Sequence, residues 1–423
     1  MPHQVGVTIR APLREGHQAG VEQLLERVRD QGVGKGSLPF ARMPAVHFAR
    51  LLVFHEVVDL DGSVIPGSLV YMADVDGSAR RHLVTLAHQA GLGIDELFSH
   101  CVGYPENPSE LERVAWLEQH SERPLAYYVH AVGRTVRQIH DEARLHDEIG
   151  DLLDEQPFVG VPTTASGLRR QIVQTVVQRP HLAWSARRAA GSGITHRLRE
   201  TAHLVVVPLV VTATLPLTAP VAVIGLVAIR LRERRDPVDA TPADAGHVRR
   251  VQTYEDFGAQ NPFTAVGFVK PGLLRRVTMQ VALRGLDYAC RHVYRTDNLA
   301  GVRSIHFARW VPIDGGRRLI FASSYDGSLE SYMDDFIDRV HWGVNLVFSN
   351  GVGYPRTRWL IHGGARDEGA YKHHLRRRQV PTQVFYSAYD TLSAPNIDAN
   401  SRIRSGVARA QDETDAGRWL AVL

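Results

Sequence analysis

Between Val5 and Leu13 apolar and polar residues alternate with the period of a strand. From Gly16 to Arg29 the apolar residues Val21, Leu24, Leu25 and Val28 fall at helical spacing. Strand character returns over Val46–Val57 and Ser68–Ala73, separated by the turn signals Asp61-Gly62 and Pro66-Gly67. A helix is expected after Asp76-Gly77, with Leu83, Leu86, Ala87 and Ala90 on one face, and Pro124 introduces a strand over Leu125–His130. Strand, helix, two strands, helix, strand is the order of a ferredoxin-like unit.

The same order recurs in the second half. Phe263–Val269 reads as a strand, Leu273–Tyr294 as a helix, and Ser304–Ile313 and Arg318–Ser323 as strands hinged at Asp314–Gly316. A helix over Ser328–Phe348 follows, then a short strand at Arg358–Ile361 with no counterpart in the first half, a helix over Asp367–Arg378 and a strand at Thr382–Tyr386. Shared words mark the repeat: His-Phe-Ala-Arg at 47–50 and 306–309, Asp-Gly-Ser at 76–78 and 326–328, Gly-Tyr-Pro at 103–105 and 353–355. Asp76 and Asp326 lie 250 positions apart, as do Tyr104 and Tyr354, so the intervening segments are equal in length. A sheet with helices on one face leaves the other bare, and two copies in one chain can cover each other. The expected fold is therefore α+β, with two tandem ferredoxin-like βαββαβ repeats, residues 1–155 and 251–400, pairing as a pseudo-twofold α/β barrel. Residues 401–423 read as a polar helical tail.

The linking region, residues 156–250, breaks this pattern. Residues 204–229 hold no charge, a run long enough to cross a bilayer, which takes about 20 apolar residues. Pro208, Pro216 and Pro220 interrupt it, each removing a helical hydrogen bond. Arg187, Arg188, Arg197 and Arg199 precede the run, and Arg230, Arg232, Arg234 and Arg235 follow it, so both ends carry the positive charge of a cytoplasmic flank. A single crossing would place the two copies on opposite sides. A membrane-associated hairpin turning near 215–220, on the cytoplasmic face of the membrane, satisfies flanks, prolines and pairing together. Upstream, residues 166–202 hold seven arginines against Glu200, interleaved with Leu168, Ile172, Val176, Leu182 and Trp184, a composition suited to an anionic lipid surface.

Composition adds mainly exclusions. A formal charge of +4 over 423 residues, with no recognisable reading module, argues against nucleic acid as partner. Cys101 and Cys290 lack any paired spacing, which suggests neither disulfide nor zinc site. The N-terminus shows no charged leader with an apolar core, so export is not expected. P-loop, dinucleotide fingerprint, serine elbow and paired-histidine zinc motifs are all missing from the sequence.

The candidate chemistry lies in the repeated words. Strand alternation places His306, Ala308 and Trp310 on one face and Phe307 and Arg309 on the other, leaving space beside the histidine; His47 is its equivalent. Asp76 and Asp326 stand where a strand turns into a helix, with Ser78 and Ser328 as helix caps. His341, inside the Ser328–Phe348 helix where the first copy has Gly91, could serve one copy only, and His362, His373 and His374 are further histidines of the second copy. The runs Tyr254–Asn261 and Gly363–Glu368 carry acidic and amide groups without a metal or phosphate spacing.

The tandem order and the shared words resemble the dimeric α/β-barrel superfamily, which includes small monooxygenases, chlorite dismutases and dye-decolourising peroxidases. The words around Arg309, Asp326 and Glu368 also resemble a bacterial family with no assigned activity. The peroxidase motif Gly-x-x-Asp-Gly is matched at Asp76 and Asp326 except for its leading glycine, here Ala73 and Ser323. The resemblance implies haem, with Asp326 and Arg309 as catalytic groups, His341 as iron ligand and His306 beside the cofactor. Two functions follow: a membrane-surface oxidoreductase, haem-dependent and peroxidase-like, acting on an apolar or lipid-like substrate; or a non-catalytic membrane-bound module that binds a lipid-like ligand or a protein partner.

Overall fold

The computed structural model describes residues 4–155, 164–187, 194–239, 241–256, 258–294, 298–409 and 412–423. The first half runs β1 (Gln4–Pro12), α1 (Gln18–Asp30), β2 (Val46–Phe54), β3 (Ser68–Asp76), α2 (Ala79–Gln89), α3 (Gly91–Phe98), α4 (Glu110–Gln119), β4 (Ala126–Val129) and α5 (Val136–Glu155). Between the halves come α6 (Ala165–Gln178), α7 (Ile194–Glu233) and α8 (Ala245–Gln252). The second half runs β5 (Gln260–Phe268), α9 (Leu273–His292), β6 (Ile305–Ile313), β7 (Arg318–Asp326), α10 (Leu329–Phe348), α11 (Glu368–Arg378), β8 (Val384–Ser387), α12 (Ala394–Ala408) and α13 (Glu413–Leu420).

The expected tandem of ferredoxin-like repeats closed into a barrel does not form. The strands make separate antiparallel sheets, and the two large ones have the orders β1-β3-β2-β8 and β4-β6-β7-β5. Each takes its fourth strand from the other half: Val384 pairs with Leu51 of β2, and Ala126 pairs with Trp310 of β6. Neither repeat is thus a self-contained βαββαβ unit, and among the described residues no ladder joins the two sheets into a closed ring. The reason is local competition for an edge. The segment after α4 forms no ladder with β1 beyond the isolated bridge between Ile9 and Ser121, and its regular pairing goes to β6. The segment at Arg358–Ile361 is likewise no sheet strand, because Thr357 and Arg358 pair only with Gly363 and His362 in a small hairpin.

The inner faces of the two sheets meet through Leu52, Phe54, Val70 and Met72 on one side and Val311, Ile313, Ile320 and Ala322 on the other. Two arginines cross this layer. Arg50 donates to the carbonyls of Phe263 and Ser323 and to the hydroxyls of Thr264 and Ser324. Arg309 donates to the carbonyls of Val7 and Ala73, to the Thr8 hydroxyl and to Asp74. The outer faces carry the main cores, one under α1 to α4 and one under α9 to α11. The C-terminal region is no appendage: Ile403, Val407 and Trp419 of α12 and α13 pack with Leu145, Ile149, Ile172 and Val176 of α5 and α6.

The expected hairpin in the apolar segment is also overturned, since α7 runs unbroken from Ile194 to Glu233 through all three prolines. A proline removes one ladder bond and bends a helix without ending it, whereas a tight reversal needs turn residues, and 215–220 contains no glycine, asparagine or aspartate. Thr212, Thr214 and Thr218 return their hydroxyls to backbone carbonyls one turn back. α7 is long and apolar enough to cross a membrane, and no part of its most apolar window is buried by the rest of the chain. Of the basic stretch before it, residues 188–193 lie outside the described residues.

Candidate functional site

The residues singled out by the repeat do come together in part. A β-bulge interrupts the pairing of β6 with β7 between Ile305 and Phe307, and an equivalent bulge lies between Val46 and Phe48. The extra residue, His306 or His47, breaks the strict alternation of a strand. His306 therefore packs against Phe48 and Tyr389 in the layer between the sheets, while Ala308 and Trp310 belong to the outer core. The space expected beside the histidine is absent, because its neighbours lie across the sheet.

His306 Nε2 pairs with Asp326 Oδ1 at 2.6 Å, and His47 Nε2 with Asp76 Oδ1 at 3.1 Å. His47 Nδ1 also meets the Tyr389 hydroxyl at 2.9 Å. The second oxygen of each carboxylate accepts a backbone N–H at a helix start, Ala394 of α12 for Asp326 and Val136 of α5 for Asp76. Each aspartate thus joins a strand histidine to the helix that follows the exchanged strand, so both carboxylates are fully committed. Ser78 and Ser328 cap α2 and α10 as expected. Arg309 does not reach Asp326: its guanidinium is spent on β1, β3 and Asp74, and it stacks on Tyr127. His341 lies on the outer side of α10, where Arg366 Nε donates to its Nε2 at 3.1 Å. The four residues proposed for a haem site therefore occupy three separate places.

Other candidates are structural too. His374 is buried, hydrogen-bonds the Gly353 carbonyl through Nδ1, and burial lowers its pKa to about 3. Burial raises both cysteine thiols to about 12, so neither is a ready nucleophile. In the run 254–261, Glu255 binds Arg376 and Gln379, and Asp256 caps α10 through Leu329 N. Phe257 of that run lies outside the described residues. Asp367 caps α11.

The most prominent feature of the second half is one the repeat does not announce. A cavity of about 920 Å³ lies between α7, α9, α10 and the outer face of its sheet. Phe263, Trp310 and Phe321 form the sheet wall, and Leu217, Val221 and Leu226 come from α7. α9 contributes Thr278, Ala282, Gly285 and Ala289, a stripe of small side chains at helical spacing. None of the described lining residues is charged, and none is histidine or cysteine.

α7 is fixed beside this cavity at both ends. Near its start the Tyr288 hydroxyl donates to the His203 carbonyl, and the His203 ring stacks on His292 of α9. At its end Glu233 accepts from the Thr357 hydroxyl and from the backbone N–H of Trp359 and Leu360. Trp359 and Leu360 hold positive φ values of 58° and 66°, a strained pair that the buried carboxylate keeps in place. Just beyond, Asp236 binds Lys270 and Arg275. Burial lowers the pKa of both cations, and Asp236 offsets part of that penalty. The helix is thus strapped along the body with its outer face bare, and Trp342 and Trp359 stand exposed nearby.

The residues present do not fit haem. Among its described lining residues the cavity offers no imidazole or thiolate to iron and no cation to the propionates. Neither a protein-family model, nor a curated protein, nor a solved structure matches the chain.

Proposed function

We propose that this chain is a membrane-surface module that holds a lipid-like apolar ligand in the cavity between α7, α9 and α10. The observation that carries the reading is the cavity itself: about 920 Å³, at the large end of the about 300–1,000 Å³ usual for ligand pockets, with no charge among its described lining residues. The space opens to the surface beside α7, where Leu217 and Val221 are mostly exposed, and its apolar walls favour hydrocarbon over water.

α7 supplies the route. Leu217, Val221 and Ile224 are at least 70% exposed, an apolar face that water disfavours and lipid does not. The threonine hydroxyls along it are satisfied by the helix itself, as a hydrocarbon medium demands. Because both ends of α7 are held by the same half, the helix lies along the lipid surface and does not separate the two halves across it. Arginines at both ends support an anionic leaflet, such as that of the cytoplasmic side, as that surface.

Flotation with anionic vesicles, followed by lipid extraction, tests the reading. The wild-type chain floats and carries lipid. Leu209→Glu, Val223→Glu and Ile224→Glu combined, at exposed positions of α7 outside the cavity lining, abolish flotation. Gly285→Phe, whose new side chain enters space where a Cβ meets nothing within 4 Å, keeps flotation and loses the lipid. Flotation of the triple variant, or equal lipid content in Gly285→Phe, would overturn the proposal.

A further inference from the structure

The cavity wall carries a second kind of information, in what its polar atoms are doing. Thr218 and Thr278 return their hydroxyls to their own helices, and the Tyr332 hydroxyl donates to Ser323 Oγ at 2.6 Å. Tyr371 of α11 differs. It is 2% exposed and lines the cavity, and among the described residues nothing hydrogen-bonds its hydroxyl. The Asn345 amide is likewise taken up, by the carbonyls of Ile361 and Gly363, the Tyr354 hydroxyl and the Ala365 N–H. Tyr294, the other lining hydroxyl without a partner among the described residues, is only half-buried.

The first half shows what otherwise stands there. Trp116 Nε1 donates to the Gly103 carbonyl as His374 bonds that of Gly353, which aligns α4 with α11 and sets Arg113 opposite Tyr371. Arg113 makes a two-pronged ion pair with Asp95, at 2.7 and 2.6 Å, and Asp95 is the equivalent of Asn345. The second half has exchanged both charges for neutral groups and left the Tyr371 hydroxyl over, in a lining where Trp310 Nε1 is a second donor without a partner among the described residues.

Resting on the proposed lipid-binding reading, we infer that the ligand is an uncharged lipid with a terminal neutral oxygen, such as a long-chain alcohol or ester, which accepts a hydrogen bond from Tyr371. A phosphate or an ionised carboxylate drawn into this lining would meet no counter-charge among the described residues, and burying an unpaired charge is prohibitive. A bare hydrocarbon would leave the Tyr371 hydroxyl unsatisfied.

The test uses two probes that differ only at the head, 9,10-dibromostearyl alcohol and 9,10-dibromostearate, at pH 8 with the full-length, lipid-stripped chain. Bromine quenches tryptophan on contact, and Trp310, 4% exposed, lines the cavity, so the reading is the quenching component lost in Trp310→Phe. The alcohol is expected to bind at least about tenfold more tightly than the carboxylate, and Tyr371→Phe to weaken the alcohol about fivefold. Equal binding of both probes, or an unaltered affinity in Tyr371→Phe, overturns this inference while leaving the lipid-binding function standing. Failure of both probes to quench Trp310 overturns the function itself.

Discussion

The two halves share a backbone plan and differ in what lies under their helices. In the first, α1 presses Val21, Leu24, Leu25 and Val28 onto the sheet, and Phe98, Tyr104 and Trp116 pack ring against ring at 4.9 to 6.2 Å. In the second, α9 shows Ala282, Gly285 and Ala289 to the same region, and a cavity opens. The difference is not a loss of bulk along the other wall: Val340 and Phe336 of α10 stand where the first half has Ala90 and Leu86. Even the break between α2 and α3, at Ala90 with φ −120° and ψ 17°, reappears as the kink at Val340, with φ −134° and ψ 22°. One core is filled by large side chains, whereas in the other the small residues of α9 border a cavity.

The largest effect that separates the halves is expected from equivalent phenylalanines. Phe98 is fully buried in the filled core, so Phe98→Ala should cost about 3–5 kcal/mol. Phe348 lines the cavity and already lacks neighbours on one side, so Phe348→Ala should cost less than half as much in the lipid-free protein. Because each sheet holds a strand of the other half, both changes report on one cooperative unfolding transition, measured in urea. Equal costs would mean that the second core is as tightly packed as the first.

Acid offers an intermediate effect. His82, hydrogen-bonded to the Tyr71 hydroxyl at 2.7 Å, has its pKa pushed by burial from 6.5 down to about 4. Its folded pKa lies below the unfolded one, so the unfolded chain takes up the proton first. The stability of the neutral pair is fully present above about pH 6.5 and falls as the pH drops towards 4, by up to about 3 kcal/mol. The second half has Tyr332 at the equivalent position and a buried histidine elsewhere, His374, lowered to about 3 with the same sign. His82→Gln should therefore flatten the first-half share of the acid slope and leave the remainder. An unchanged slope between pH 6.5 and 4 would show that His82 is not held neutral.

Much of this comparison can be read along the chain, and the part that cannot has a physical reason. The strands, the long helices and the equivalence of the halves follow from periodicities of two and 3.6 and from the repeated words, all of which are local. Strand exchange is invisible there, because Ala126–Val129 carries the same alternation whether it pairs with β1 or β6. The bulges at His47 and His306 hide for a similar reason: an extra residue in one strand shows only against its partner, and it turned the reading of which face the histidines occupy. Asp326 is legible as the place where a strand turns into a helix, but its bond to Ala394 spans 68 positions. The cavity left one trace, the spacing of Thr278, Ala282, Gly285 and Ala289, which without the sheet beneath it reads as an ordinary packed helix.

The smallest effect is the most diagnostic, because its sign should change between equivalent positions. Gly93 in α3 and Gly343 in α10 lie 250 positions apart, inside helices, where glycine is about 0.5–1 kcal/mol worse than alanine. A Cβ on Gly93 would fall 2.4 Å from the Ser37 carbonyl oxygen, a backbone atom that cannot step aside. A Cβ on Gly343 meets nothing within 4 Å, and that residue borders the cavity. Gly93→Ala should therefore destabilise the protein, by about 1–3 kcal/mol as overpacking usually does, while Gly343→Ala should stabilise it by about 0.5–1 kcal/mol. Both are read from the same urea midpoint. If Gly343→Ala also lowers the midpoint, the space beside α10 is not there in solution, and the second half is as full as the first.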